Sequence, residues 1–368
     1  MAAAARGCYL EEPFPVRPRG PEPSPPVRPL LLLLAASIGF ASVSTALRRL
    51  VPWPDDQGLW SKWEYFQAHR DEFDAVFIGS SLVLRDVDAP AVQAGLAAAG
   101  VELACFNFGV GGMGPYEQDF LLHRLLELEP ARLRYVFFEG GPVGLGTHPR
   151  HIFQTPGDTD TFRSVHWHDA TQTGKVLRQV RLLPVALLRK LDLGFTHVRV
   201  FCRRLASYGL GPELPRRFEG PPAPGYMMTR DRGYRPYPEP HGADFDDPQA
   251  FAALVAAIPA EHGRQLRLAE INTAVHAAQY AAAEARGVEL VYVNLPASIG
   301  TPERPFLHAQ GVIPWLFDFN RPLDFPELFR FEHHWDVDHL NPDGVKCLTP
   351  LLVERVLAHV TRPAGSRP

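Results

Sequence analysis

The stretch DAVFIGSSLVLRDVD, residues 74–88, is the part of the chain from which its architecture is most directly inferred. Its first six residues form a short apolar, β-branched run of the kind that makes a buried strand in a parallel sheet. The run ends at Gly79-Ser80-Ser81, so two hydroxyl groups lie where the strand is expected to end. Asp88 and Pro90 then predict the start of a helix.

The same alternation of strand and helix patterns recurs further along the chain. Residues 101–109, 133–141 and 288–296 are predicted strands, and residues 116–130 and 267–287 have helical patterns. Asn341 and Pro342 fit the N-cap and first turn of a last helix. We therefore predict an α/β fold, a three-layer α/β/α sandwich with a mostly parallel, flavodoxin-like sheet.

The alternation stops between residues 146 and 263, which we interpret as an insertion that forms a lid or a partner surface. The α/β domain would then comprise residues 60–145 and 264–362. The insertion has an amphipathic stretch at residues 174–191 and loops rich in Pro, His and Arg. Its aromatic residues Tyr226, Tyr234 and Tyr237 are candidates for a groove contact with a ligand.

The N-terminus predicts a membrane attachment. Residues 1–29 are rich in Pro and Arg and are expected to be a disordered tail. Residues 30–47 carry no charge and have the length of a short spanning helix, so we predict a transmembrane signal-anchor, with a cleaved signal peptide and a buried core helix as alternatives. The arginines of the tail favour an internal N-terminus, with the bulk of the chain on the extracytoplasmic side.

Composition excludes several other classes of protein. The 368 residues are 46% hydrophobic and 21% charged, which is a globular balance. The formal charge of −4 gives no reason to expect a nucleic-acid partner. Without a CxxC spacing, the four cysteines indicate neither a disulfide framework nor a zinc site; they are Cys8, Cys105, Cys202 and Cys347.

A serine hydroxyl becomes a good nucleophile only when a nearby base removes its proton. The segment DVDHLNPDG, residues 336–344, offers such a base, because Asp336 precedes His339 by three residues and a carboxylate can orient an imidazole. Ser81, His339 and Asp336 are therefore candidates for a catalytic triad. The alternatives are a capped turn with a solvated acidic loop, or a metal site built from EHHWDVDH, residues 332–339.

The segment FNFGVGGMGP, residues 106–115, follows the second predicted strand. Its glycines let the backbone approach a ligand closely, and Asn107 could bridge two loops. No Lys-Ser/Thr follows these glycines, so the segment does not match a phosphate-binding P-loop. Because ligands bind at the carboxyl ends of parallel strands, we expect Ser80–Ser81, residues 107–112 and residues 139–142 to lie together.

Three short blocks in this order resemble the SGNH (GDSL-like) hydrolase superfamily: Gly79-Ser80-Ser81, Asn107-x-Gly109-x-x-Gly112 and Asp336-x-x-His339. The resemblance is closest to its membrane-anchored bacterial branch, which includes cell-envelope polysaccharide O-acetylation proteins. It covers residues 70–145 and 264–360 and does not extend to the insertion. It implies that Ser81 is the nucleophile, His339 the base and Asp336 the orienting carboxylate. It also implies no cofactor or metal.

The resemblance further implies that the backbone N–H groups of Ser81 and Gly112 form the oxyanion hole, with Asn107 and Ser80 in supporting roles. Two positions depart from the family pattern. Ser80 replaces the usual aspartate, and residues 139–142 read Glu-Gly-Gly-Pro where an Asn donor is expected. Loss of one such donor can reduce turnover by about 10²–10³-fold.

The function expected from this resemblance is that of a membrane-tethered serine esterase or O-acyltransferase. Its substrates would be acyl esters of cell-envelope glycans, and a membrane acyl-transfer protein would be its partner. The alternative is a catalytically degenerate SGNH-like domain that acts as an envelope assembly or glycan-binding component.

Overall fold

The structure, a computed structural model, describes residues 27–51, 53, 58–140, 161–206, 218, 226–238, 241–242, 245–262, 266–298 and 301–363. The predicted disordered tail lies outside these residues, apart from its last three positions. A helix begins within those positions, so the apolar N-terminal helix starts slightly earlier than residue 30.

Five parallel strands form the sheet described here, in the order β2-β1-β3-β4-β5. They are β1 Ala75–Gly79, β2 Cys105–Gly109, β3 Tyr135–Phe138, β4 Glu289–Asn294 and β5 Leu316–Asp318. The predicted α/β fold with a parallel sheet is confirmed. The first four strands fall within the predicted segments, whereas β5 was not predicted.

The helices described here are α1 Val27–Leu47, α2 Leu59–His69, α3 Ser81–Asp86, α4 Ala89–Ala98, α5 Pro115–Glu127, α6 Thr161–Trp167, α7 Ala170–Leu182, α8 Leu187–Leu205, α9 Tyr226–Thr229, α10 Pro248–His262, α11 Thr273–Glu284, α12 Glu303–Ala309 and α13 Pro342–Val360. Two predicted helix starts are confirmed by their caps. Asp88 accepts a hydrogen bond from Ala91 N at 2.9 Å, and Asn341 accepts from Gly344 N at 3.0 Å. The amphipathic stretch at residues 174–191 belongs to two helices, α7 and α8, with Pro184 between them.

Alternate residues of the strands belong to two separate hydrophobic clusters. Val76 and Ile78 of β1 belong to the cluster that includes residues of α2, α5 and α11. Phe77, between them, belongs to the cluster that includes residues of α4 and α13. Every residue of β1 is therefore buried, which explains why the strand is a continuous apolar run rather than an alternating one.

The part of the insertion around residues 232–233 packs against the edge strand β2 of the sheet. Asn107 N, in the edge strand β2, donates to Arg232 O at 2.8 Å. Lys62 of α2 is fully buried, and its Nζ donates to the carbonyl oxygens of Asn107, Gly109 and Gly233 at 2.9, 2.6 and 2.6 Å. Gly233 has a φ of 89°, and a Cβ there would overlap Asn107 O, so this contact requires glycine. The insertion thus covers hydrogen-bonding groups that an edge strand would otherwise expose.

Helix α1 is the one described helix long and apolar enough to cross a membrane, over the 19 residues Pro29–Leu47. Only 6% of that segment is buried, so the alternative of a buried core helix is wrong. The end of α1 packs against α8, where Ser44 Oγ donates to Arg204 O at 3.1 Å.

Candidate active site

Two sets of hydrogen bonds hold the turn after β1. One involves the side chain of Ser80, and the other involves the carboxylate of Glu139, which follows the neighbouring strand β3. Ser80 is the N-cap of α3, and its Oγ accepts a hydrogen bond from Leu82 N at 3.2 Å. The carboxylate of Glu139, which directly follows β3, accepts from Ser80 N at 2.6 Å and from Ser80 Oγ at 2.8 and 2.9 Å. Ser81, the first residue of α3, therefore follows a turn that is held by Leu82 N from the helix and by Glu139 from the end of β3.

The structure brings the three candidate catalytic side chains together. His339 Nε2 lies 2.7 Å from Ser81 Oγ, although the two residues are 258 positions apart in the chain. His339 Nδ1 lies 2.8 and 2.9 Å from the two carboxylate oxygens of Asp336. Asp336 Oδ1 also accepts the backbone N–H groups of Asp338 and His339, each at 2.8 Å.

The environment of Asp336 favours its charged form. Its partial burial alone would raise its pKa, but the hydrogen bond and charge of His339 and the two backbone N–H groups outweigh this effect and lower the pKa. An ionised Asp336 accepts the Nδ1 proton of His339, which leaves Nε2 free to accept a proton from Ser81. This is the arrangement that makes a serine nucleophilic.

The loop that carries His339 is tied to the helix that carries Ser81. Leu340 N donates to Asp86 Oδ1 at 3.1 Å, and Asp86 is the last residue of α3. Burial raises the pKa of Asp86 well above its usual range, and the nearby carboxylate of Asp336 adds to this effect. Sequence reasoning missed Asp86, which follows the apolar residues Leu82–Leu84 and Arg85 in a pattern typical of an exposed helix end.

Asn107 supports the site but cannot serve as a donor to the substrate. It is fully buried, and its Nδ2 donates to the carbonyl oxygens of Val83 and Val87 at 2.6 and 2.7 Å. Its Oδ1 accepts from Gly109 N at 2.8 Å. Both amide hydrogens of Asn107 therefore hold the chain of α3 against β2, and neither is available to an oxyanion in place of the Asn donor expected at residues 139–142.

The glycine turn after β2 is held by a residue of the insertion. Gly112 has a φ of 67°, which favours glycine, and Gly111 O accepts from Arg163 Nη1 at 2.7 Å. Arg163 of α6 also pairs with Glu117 Oε1 at 2.6 Å, and both side chains are buried. The Ser81 N–H lies in the first turn of α3, where backbone donors have no intrahelical partner. The assignment of Ser81 and Gly112 as oxyanion donors stays a prediction.

Residues 139–142, which follow β3, are where the resemblance led us to expect an Asn donor. The carboxylate of Glu139 accepts hydrogen bonds from Ser80, and Gly140 follows Glu139 in the chain. Gly141 and Pro142 lie outside the described residues, as do the histidines and arginine of residues 148–151. The expected clustering of the strand ends is confirmed for the described part, since Glu139 bonds Ser80 and Gly79 pairs with Gly109.

A pair of stacked aromatic rings lies beside the base. Tyr237 of the insertion stacks on Trp335 with a centroid distance of 3.8 Å and an interplanar angle of 1°. The Tyr237 ring also contacts His339 edge-on at 5.6 Å, and the Arg85 guanidinium lies 4.2 Å from its centroid. Tyr234 is instead buried in the core, and the side chain of Tyr226 lies outside the described residues. Of these candidates, the structure places Tyr237 beside the triad.

The segment considered as a metal site has other contacts. His334 Nε2 lies 2.8 Å from Leu328 O, and His333 Nδ1 lies 2.6 Å from Glu327 O. Within the described part of the chain, no group of three or more His, Cys, Asp or Glu side chains is placed to hold a metal ion. A cavity of about 890 Å³ lies beside the end of α1, lined by residues that include Arg48 and Arg204, and not at Ser81.

Comparison of the chain with models of protein families, with curated proteins and with solved structures gives no match in any of the three.

Proposed function

We propose that the chain is a membrane-tethered serine esterase or O-acyltransferase with an SGNH-like fold. The observation that carries the proposal is the 2.7 Å contact between Ser81 Oγ and His339 Nε2, with Asp336 on the other ring nitrogen. The strand order and the two hydrophobic clusters support the finer assignment of a three-layer sandwich with a flavodoxin-like sheet.

The geometry supports a two-step acyl transfer. In the first step, His339 removes the Ser81 proton while Oγ attacks the ester carbonyl, and the backbone N–H groups of Ser81 and Gly112 stabilise the oxyanion. The protonated His339 then gives its proton to the leaving alkoxide, and an acyl-serine remains. In the second step, His339 deprotonates water or a sugar hydroxyl, which attacks the acyl group and restores Ser81.

The aromatic pair supports a carbohydrate substrate. Aromatic side chains often contact sugar rings, and the partly exposed rings of Tyr237 and Trp335 lie next to His339, with Trp335 and Arg85 packed on the faces of Tyr237. Arg85 adds a cation that can donate to sugar hydroxyls or to an acyl carbonyl. We propose acyl esters of cell-envelope glycans as the substrate class on this basis.

Helix α1 is proposed to be retained as a signal-anchor with the catalytic domain on the extracytoplasmic side. The hydrogen bonds of Ser44 and Arg48 to Arg204 O support retention, because removal of α1 would leave this carbonyl without both donors. In a transfer reaction, a membrane protein that supplies activated acyl groups would be the partner.

A fluorophosphonate probe tests the proposed activity directly, because it labels only an activated serine. The full chain should become labelled at Ser81, as located by peptide mass spectrometry, and Ser81→Ala should abolish labelling. The matched control is Ser61→Ala, which removes a serine hydroxyl of α2 that has no part in the proposed triad and should still be labelled at Ser81.

Labelling that persists in Ser81→Ala, or a folded wild-type chain that is never labelled, would refute the proposal. If glycans then bind tightly to the unlabelled chain and His339→Ala leaves their binding unchanged, the chain is the non-catalytic glycan-binding component instead.

A further inference from the structure

Helix α8 presents a continuous apolar stripe to the outside of the molecule. Its members are all exposed, at 70, 80, 59, 69 and 39% for Leu187, Leu188, Leu191, Phe195 and Val198. With 3.6 residues per turn, these positions fall within an arc of roughly 100° on one side of the helix. Exposed Cys202 lies in the same arc.

The opposite side of α8 is packed against the protein, so the outward direction of the stripe is fixed. Its buried residues are Leu193, His197, Val200 and Arg204. His197 Nδ1 lies 2.9 Å from His168 Nε2, and Arg204 Nη1 donates to Val165 O at 2.9 Å. The helix is therefore already docked through one face, and the apolar stripe is a second, separate surface.

Helix α8 is also attached to the end of the apolar helix α1. Arg204 O accepts from Ser44 Oγ at 3.1 Å and from Arg48 Nε at 3.3 Å. Ser44 precedes the end of the Pro29–Leu47 segment by three residues, which corresponds to about 4.5 Å along the helix axis. If Leu47 marks the membrane surface, this part of α8 lies at the depth of roughly 5–10 Å that is typical of amphipathic helices in a membrane interface.

We propose that α8 is a second membrane contact, which lies in the bilayer interface with its apolar stripe among the lipid chains. Besides buried Arg204, α8 contains four basic residues and one acidic residue, which suits the headgroups of anionic lipids. Helix α1, which contacts α8, also has an exposed apolar surface, where Phe40 and Val43 are 57 and 59% exposed. The proposal rests on the insertion of α1 in the membrane, not on the esterase activity.

A second membrane contact would fix the orientation of the domain on the membrane, which a single contact does not. A single spanning helix leaves a domain free to rotate about it, whereas an interfacial helix fixes which side of the domain lies against the lipid. The proposed occupant of the stripe is a lipid bilayer containing anionic lipids rather than a second copy of the chain, because α8 is attached to the end of α1 and is basic.

Depth-dependent fluorescence quenching tests this arrangement on the full chain. The protein is reconstituted in vesicles of phosphatidylcholine and phosphatidylglycerol, with Cys8, Cys202 and Cys347 replaced by serine and buried Cys105 retained. An environment-sensitive dye is attached at Phe195→Cys and quenched by nitroxide-labelled lipids. The matched control is Leu323→Cys, because Leu323 is 81% exposed but belongs to no such stripe.

We expect the dye at position 195 to be quenched at least about twofold more strongly than the dye at position 323. Equal, weak quenching in protein that remains in carbonate-washed membranes would overturn the proposal and leave the α1 anchor intact. A blue-shifted dye at position 195 that nitroxide lipids do not quench would also overturn it, because a protein would then cover the stripe.

The other claims fail in distinguishable ways. Extraction of the full chain by carbonate would overturn the α1 anchor and this proposal with it. Loss of fluorophosphonate labelling would overturn the esterase and leave the membrane contact of α8 standing.

Discussion

Glu139 begins the segment 139–142, in which the resemblance led us to expect an Asn donor, and its carboxylate has a different role in the structure. Its carboxylate holds Ser80 through the backbone N–H and the hydroxyl, at 2.6 to 2.9 Å. We predict that Glu139→Ala destabilises the protein and also displaces Ser81, because Ser81 is the next residue after the released turn. Glu139→Gln should have a much smaller effect.

The magnitude follows from the two donors of Ser80. A hydrogen bond to a charged group contributes about 1.5–3 kcal/mol, and a buried donor left without a partner costs about 1–3 kcal/mol. The Ser80 hydroxyl is only partly buried and can turn to water, so we expect Glu139→Ala to lower the free energy of unfolding by about 2–4 kcal/mol. Glutamine keeps an acceptor oxygen but loses the charge, so about 1–2 kcal/mol is expected for Glu139→Gln.

Urea unfolding followed by tryptophan fluorescence measures the stability of each variant, and the rate of fluorophosphonate labelling reports the position of Ser81. A displacement of about 1 Å can reduce a reaction rate by about 10²-fold, so Glu139→Ala should be labelled far more slowly than Glu139→Gln. Wild-type stability together with wild-type labelling in Glu139→Ala would refute the reasoning. If no variant is labelled, wild type included, the unfolding measurements alone still test whether the hydrogen bonds between Glu139 and Ser80 stabilise the protein.

Three further perturbations address neighbouring features. Gly109→Ala places a Cβ against the backbone of α3, so we expect a loss of about 1–3 kcal/mol and slower labelling of Ser81. Burial raises the pKa of Asp86, so above about pH 4 its carboxyl is ionised in the unfolded chain but still protonated in the folded chain, and wild-type stability falls as the pH rises. Asp86→Asn removes this titration, so its stability relative to wild type should increase as the pH rises above about 4. Burial lowers the pKa of His168 to about 3 and of His197 to about 4, so wild-type stability should fall as the pH drops from about 6.5 towards 4, by on the order of 3 kcal/mol for His197 alone.

All three are measured by urea unfolding, the last two over a range of pH. Gly174→Ala is the control for the glycine prediction, because a Cβ at Gly174 meets no atom within 4 Å and should cost nothing. A stability difference between Asp86→Asn and wild type that does not change between pH 5 and pH 8 would contradict the second prediction. His168→Gln with the same acid sensitivity as wild type would contradict the third.

The local signals in the sequence were sufficient for most of the fold. Short apolar runs with glycine or proline at their ends predicted β1 to β4, and the Asp88 and Asn341 caps predicted two helix starts. The fifth strand escaped prediction because it has only three residues, Leu316–Asp318, which is too short for a periodic pattern. Its pairing with β4 depends on packing that the sequence does not display.

Residues whose role follows from the needs of a chemical reaction could be predicted from the sequence. Residues whose role follows from their packing partners could not. The pairing of Ser81 with His339 followed from the need of a serine for a base. The function of Glu139 was missed, because the family pattern drew attention to an absent amide rather than to the carboxylate present. The contacts of Lys62 with β2 and with Gly233 join three distant parts of the chain, and no local pattern indicates them.

The separation of 258 positions between Ser81 and His339 has a consequence for the timing of any reaction. A ribosome-bound chain that has produced β1, the insertion and β4 possesses the hydroxyl but has no imidazole to deprotonate it. The proposed nucleophile therefore has no base until the segment that carries His339 has been made and has packed beside α3. In the proposed reaction, formation of this long-range contact is the step that makes Ser81 reactive.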